Sequence, residues 1–93
     1  MDKVKLLGSL QRATVEARGC ELDEVQAVMI PAKRMLWVME QLGLESIDFL
    51  EIGFQVEKDG FGFDTDALGD HMSEEENRGL TIDGMMDGFF TEI

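Results

Sequence analysis

Ser46 is the residue whose type and position could support chemistry outside a packed core. It stands just before the first periodic apolar residue of a helical segment, where an N-cap is expected, and its hydroxyl could accept a hydrogen bond from a free backbone N–H. The nearby residues include no general base, and the one histidine, His71, is far along the chain. A self-activated Ser-His nucleophile is therefore poorly supported.

The residues after Ser46 predict the helix that would position it, from about 46 to 58. At about 100° per residue, apolar side chains fall on two nearly opposite sides: Ile47, Leu50 and Phe54 against Phe49, Ile52 and Val56. One polar strip, expected to lie in water, runs between them: Asp48, Glu51, Gln55 and Asp59. Because such a helix must be covered on most of its circumference, we expect the central helix of a small bundle.

The run LGLESIDFLE at 42–51 resembles the prosthetic-group attachment site of acyl carrier proteins, in which Leu-Gly-x-Asp-Ser-Leu precedes an acidic and apolar helix. Glu45 and Ile47 replace the usual aspartate and leucine and keep their chemical type. The resemblance covers residues 42–90 well and the preceding part in outline. It implies an all-α fold in one domain over residues 1–93: a small helical bundle of three long helices plus a short third helix, with a long loop between the first and second helices.

Local signals elsewhere in the chain predict the other helices. Residues 2–18 form an amphipathic pattern that Gly19 should end, and Thr81 is the expected N-cap of the last helix. The apolar residues of that helix are Ile82, Met85, Met86, Phe89 and Phe90. Segment 20–41 is similar to the family's long loop, and whether it contains an extra helix is left open.

Two further stretches carry weaker predictions. Ser73 and the glutamates after it suggest a short helix, the family's third, whose formation is left open. Gly53 inside the central helix suggests that another segment comes close there. Phe61 and Phe63 should anchor a loop by burying two rings.

The resemblance implies a carrier and no enzymatic activity. A phosphopantetheinyl transferase would attach 4′-phosphopantetheine from coenzyme A to Ser46. Acyl intermediates would then travel as thioesters to enzymes of fatty acid, lipid or polyketide synthesis. A phosphodiester at this helix N-terminus would meet free N–H groups and a favourable dipole. The acyl group, pathway and cognate enzymes are left open.

The resemblance also implies two sets of contact residues. Acidic side chains would contact basic surfaces on acyl-transferring and chain-elongating enzymes: Glu45, Asp48, Glu51 and Glu57. A merely solvated helix face is the alternative. An apolar cavity beside the central helix would shield the acyl chain, lined by Leu50, Phe54, Phe63, Ile82, Met85, Met86 and Phe89. Gly84 and Gly88 either enlarge this cavity or allow close helix packing.

The charge and composition of the chain limit which ligands and locations we expect. A net charge of −12 argues against nucleic acid and anionic membranes as ligands and favours basic partner surfaces. Cys20 is the one cysteine, so no intramolecular disulfide is possible, and no apolar run reaches the length of a membrane span. We expect a monomeric cytoplasmic protein without stable membrane insertion.

Two other functions remain open. The loop Asp64–Glu75 matches an EF-hand calcium loop at Asp64, Asp66, Gly69 and Glu75, but Leu68 stands where an oxygen ligand is needed. Glycines before the loop would also interrupt the entering helix. The second alternative is an acidic interaction module in which Ser46 is not modified.

Overall fold

The computed structural model describes residues 2–66 and 79–92. Within these ranges the chain forms helices and two short strands, in the order α1 Lys3–Arg18, α2 Leu22–Val28, α3 Met35–Leu42, α4 Ser46–Lys58, β1 Phe61–Phe63, α5 Ile82–Phe89 and β2 Phe90–Glu92. The expectation of a mostly helical small domain is confirmed.

Helix α1 follows its local sequence signals closely. The Asp2 carboxylate accepts a hydrogen bond from the Lys5 N–H at 3.1 Å and caps the first turn. Gly19 adopts a left-handed φ of 68° and ends the helix, as predicted. The face that carries Leu6 and Leu10 is fully buried. This helix packs mainly against α4.

Segment 20–41 is not the long loop that the resemblance implied. It contains two short helices, α2 and α3, separated by the stretch around Pro31. Each helix buries apolar side chains in the common core: Val25 in α2, and Met35, Val38 and Met39 in α3. Because these residues recur at helical spacing on both sides of the proline, two helices can form where one could not continue.

The pair of strands is a departure from the all-α prediction. β1 and β2 are antiparallel, with Phe61 opposite Glu92 and Phe63 opposite Phe90. Phe90 was expected in the last helix but belongs to β2 instead. Phe61 and Phe63 therefore belong to a paired strand and not to the predicted loop, and this strand packs against α4.

Helix α5 is fixed to the rest of the molecule at its beginning. Thr81 Oγ1 accepts a hydrogen bond from the Gly84 N–H at 3.1 Å, which confirms the predicted N-cap. The Ile82 N–H donates to the Lys33 carbonyl at 2.9 Å, and the Asp83 N–H donates to that of Pro31 at 3.0 Å. The segment between α2 and α3 therefore supplies acceptors to the first turn of α5.

Helix α4 is buried on one side and uncovered on the other. Phe49, Ile52 and Val56 lie in the core with at most 3% of their surface exposed. On the other side, Ile47 is 68% and Phe54 52% exposed. The expectation that α4 is covered on most of its circumference is therefore wrong: α1 and β1 cover one apolar side.

Two predictions lie outside the described residues, namely the short helix at Ser73 and the part of the proposed calcium loop that follows Asp66. Among the helices of the described ranges, none has both the length and the apolar character needed to cross a bilayer.

Candidate functional site

The turn between α3 and α4 positions Ser46. Gly43 ends α3 with a φ of 68°, a conformation that favours glycine. The Leu44 N–H then donates to the Met39 carbonyl at 2.8 Å, and the Leu44 side chain is buried in the core. Glu45 is extended, and Ser46 is the first residue of α4. The glycine turn and the buried leucine together fix where α4 begins.

The helix spans Ser46–Lys58, as predicted, but its N-cap is Glu45 and not Ser46. Asp48, the third residue of the helix, reaches back, and its Oδ2 accepts a hydrogen bond from the Glu45 N–H at 2.8 Å. The Asp48 N–H in turn donates to the Glu45 carbonyl at 3.0 Å. This reach-back is part of a capping box between Glu45 and Asp48, and Ser46 is the first helical residue.

Asp48 is therefore not part of an acidic strip in water. It is 9% exposed, and its Oδ2 lies 3.8 Å from Nη1 of Arg18 at the end of α1. This carboxylate accepts from the Glu45 N–H and pairs with Arg18, so the expected position of Asp48 in the strip is corrected, while its contact with a partner stays a prediction. The other three, Glu45, Glu51 and Glu57, are exposed, and their contact with partners stays a prediction.

Arg18 brings a positive charge to the same corner of the molecule. A Cβ atom on Gly43 would lie 3.7 Å from Nη2 of Arg18, so the guanidinium lies against the turn that precedes Ser46. The first amides of α4 and the helix dipole add partial positive charge here. The beginning of α4 thus combines the Arg18 guanidinium, the first helix amides, the exposed Glu45 carboxylate and the Asp48 carboxylate, which already has partners.

The seven residues predicted to line an acyl cavity occupy two different environments. Four from α5 are fully buried in the core: Ile82, Met85, Met86 and Phe89. Leu50 and Phe54 are exposed on α4. Phe63 lies between these groups, edge-on to Phe54 at 6.1 Å and stacked on Phe90 at 5.2 Å between ring centroids.

An open depression of about 430 Å³ lies beside the strands, at one end of α5. Its wall includes two of the seven predicted residues, and its lining is Gly62, Phe63, Asp64, Thr65, Gly88, Phe89 and Thr91. The seven predicted lining residues therefore do not together enclose this depression.

The glycines of α4 and α5 have distinct environments. A Cβ on Gly53 would lie 2.2 Å from Cε2 of Phe63, which confirms that another segment comes close there. A Cβ on Gly84 would lie 3.0 Å from Cδ1 of Leu80, so this glycine serves close packing. Gly88 has no neighbouring atom within 4 Å of such a position and borders the depression. Sequence reasoning predicted the approach to Gly53 but did not name Phe63.

The geometry gives little support to calcium binding. The strand β1, and not a helix, leads into Asp64. Among residues 2–66 and 79–92, no three or more histidine, cysteine or acidic side chains form a group that could hold a metal ion. The rest of the predicted calcium loop lies outside those ranges, so calcium binding by Asp64–Glu75 stays a prediction.

No model of a known protein family, no curated protein and no solved structure matches this chain.

Proposed function

We propose that this chain is an acyl carrier protein in which Ser46 bears 4′-phosphopantetheine. The observation that carries the proposal is the position of Ser46 at the first residue of a 13-residue helix, three residues after the left-handed Gly43. Buried Leu44 before it and buried Phe49 after it anchor that position in the core. Such anchoring gives a modifying enzyme a defined attachment point.

The electrostatics of the corner suit a phosphodiester on Ser46. The first N–H groups of a helix and its dipole favour an anion at this end, although the Asp48 N–H already donates to the Glu45 carbonyl. Asp48 would repel a phosphate, but its charge is already shared with Arg18 and the Glu45 N–H. The chain itself catalyses nothing in this proposal; the transferase supplies the base that takes the proton from the serine hydroxyl.

The exposed side of α4 suits partner enzymes with basic surfaces. Glu51 and Glu57 lie on this helix beside the uncovered apolar residues Ile47, Leu50 and Phe54. With a net charge of −12, the protein would be drawn towards cationic surfaces at low ionic strength. We expect partners that offer lysine or arginine around an apolar contact area.

The test is an enzymatic loading reaction followed by intact-mass spectrometry. The purified protein is incubated with coenzyme A and a promiscuous phosphopantetheinyl transferase. We expect the mass of one phosphopantetheine group to be added to the wild type and nothing to be added to Ser46→Ala. Ser9→Ala is the matched control, since Ser9 is buried and donates to the Asp59 carboxylate at 2.5 Å; it should be loaded like the wild type.

The opposite result would favour the unmodified interaction module. A known carrier protein in the same tube shows that the transferase and coenzyme A are active. If that carrier is loaded while this protein keeps its mass, the carrier proposal is wrong. The exposed side of α4 would then be a binding surface only.

A further inference from the structure

Helices α3 and α4 each present an aromatic ring to solvent. Trp37 in α3 is 39% exposed, and Phe54 in α4 is 52% exposed. Each ring has exposed apolar neighbours on its own helix: Leu36 on α3, and Ile47 and Leu50 on α4. Exposed apolar groups of this size on a small protein are typical of contact surfaces.

Two charges of opposite sign flank the ring on α3. Lys33 precedes Trp37 by four residues, and its Nζ lies 5.1 Å from the centre of the ring. Glu40 follows Trp37 by three residues, which is about one helix turn. Both charged side chains are exposed. We call Lys33, Trp37 and Glu40 the α3 surface; along the chain it offers a cation, a ring and a carboxylate.

The ring on α4 is flanked by the same kinds of charge in the reverse order. Glu51 precedes Phe54 by three residues and Lys58 follows it by four, and both are exposed. We call Glu51, Phe54 and Lys58 the α4 surface. On each surface the two charges are seven residues apart, about 10.5 Å along a helix. Within residues 2–66 and 79–92, no ion pair uses any of these four charged side chains.

We propose that the α3 surface of one copy of this protein binds the α4 surface of a second copy, with the two helices parallel. In this orientation ring meets ring, and each charge meets one of opposite sign. The antiparallel orientation would bring Lys33 to Lys58, and like charges would meet at both ends. The charges therefore select one direction and one register. The occupant is a second copy because the chain itself carries the surface with matching spacing and reversed sign.

The net charge of −12 weakens this contact without preventing it. At about 0.15 M salt the Debye length is about 8 Å, whereas the molecule measures 30 × 30 × 22 Å. The overall repulsion between two copies is then largely screened, and charges in direct contact are screened less. Because both surfaces are small and their charges exposed, we expect association at about 0.1–1 mM protein, with the monomer predominating at low micromolar concentrations.

Charge swaps within one helix test the pairing at constant net charge. Lys33→Glu with Glu40→Lys reverses the α3 surface, and Glu51→Lys with Lys58→Glu reverses the α4 surface. Each double variant exchanges one cation and one carboxylate, so its net charge stays at −12. Sedimentation equilibrium gives the association constant. The emission of Trp37, the only tryptophan of the chain, reports whether its ring becomes covered.

We expect the wild type to associate and each double variant to associate at least about tenfold more weakly, because like charges then meet at both ends. An equimolar mixture of the two double variants should recover the wild-type affinity, since the reversed α3 surface of one matches the reversed α4 surface of the other. The variant with all four changes should recover it as well. In the wild type and in the mixture, the emission of Trp37 should move to shorter wavelength as the concentration rises.

A wild type that stays monomeric up to about 1 mM would overturn the proposal. So would association that neither swap weakens, because the contact would then lie elsewhere, or losses that the mixture does not reverse. Thermal unfolding of each variant at low concentration confirms that it is folded. The result is independent of the carrier proposal, because loading of Ser46 is measured as a mass and needs no second copy. If both hold, a basic partner enzyme and a second copy compete for α4.

Discussion

Helix α4 has two apolar sides of similar composition and opposite environments. Phe49, Ile52 and Val56 face α1 and the core and are almost completely buried. Ile47, Leu50 and Phe54 face outward, although their side chains are as apolar as those of the buried set. The difference comes from what packs against each side and not from the side chains themselves.

The difference suggests separate roles for the two sides. The buried side holds α4 in the bundle, whereas exposed apolar groups of this size on a small acidic protein are typical of interaction surfaces. Ser46 begins the same helix, so the buried side holds Ser46 and the exposed apolar residues in a constant relation. Mutations can test this division directly.

The largest difference should appear between two isoleucines of the same helix. Ile52→Ala should lower the free energy of unfolding by about 2–5 kcal/mol, because it removes a fully buried side chain and leaves a cavity. Ile47→Ala, at a position 68% exposed, should change it by no more than about 0.5 kcal/mol. Urea unfolding of both variants measures the comparison, and equal losses would show that the outward side is covered in solution.

The next effect concerns the close approach of the Phe63 ring to Gly53. Gly53→Ala should lower the free energy of unfolding by about 1–2 kcal/mol, because the collision with Phe63 outweighs the gain of about 1 kcal/mol in helix propensity. Gly8→Ala in α1 is the matched control, since its added methyl would meet only the flexible Arg12 side chain at 3.4 Å. That variant should be stabilised, and a stabilised Gly53→Ala would contradict the described packing of Phe63.

A smaller effect separates two acidic residues of α4. Asp48→Ala should cost about 1 kcal/mol, because the Glu45 N–H loses its acceptor and Arg18 loses its partner. Glu51→Ala should have an effect within about 0.5 kcal/mol, since this side chain is exposed. Thermal unfolding at equal pH and salt compares the two variants; similar losses would mean that Asp48 does not cap α4.

The smallest effect on stability is expected from the surface ion pairs that join α1 to α5. Hydrogen bonds from the Lys3 ammonium to Asp87 and Asp83 raise the pKa of Lys3 above its ordinary value of 10.5. The folded state therefore binds this proton more tightly than the unfolded state. Its stabilising contribution is complete below pH 10.5 and is lost as the pH rises through the higher pKa of the folded protein.

Lys3→Met should therefore lower the melting temperature at neutral pH and have no effect at a pH above the folded pKa. High salt should shrink the difference at neutral pH, because both partners are partly exposed. Melting curves over pH and ionic strength test this, and a difference independent of both would argue against the ion pairs.

Local signals in the sequence were sufficient for several elements. Gly19 ended α1 and Thr81 began α5 as predicted, since caps depend on residues within one turn of the helix end. Gly53 likewise indicated a close approach. These features depend on neighbouring residues, which the sequence shows directly.

Features that join distant segments were missed. The strands around Phe61 and Phe90 are three residues long, too short for a recognisable alternation, and each needs the other to form. Periodicity revealed both apolar sides of α4 but not which one α1 would cover. The environment of Asp48 depended on whether Glu45 or Ser46 is the N-cap of α4, and helix caps are rarely predicted to within one residue.

The most direct test of the carrier proposal is to locate the added group after loading with coenzyme A and a phosphopantetheinyl transferase. Fragmentation mass spectrometry of the peptide that spans the α3–α4 turn should assign one phosphopantetheine to Ser46. A group found on another residue, or an unmodified peptide beside a fully loaded control carrier, would contradict the proposal.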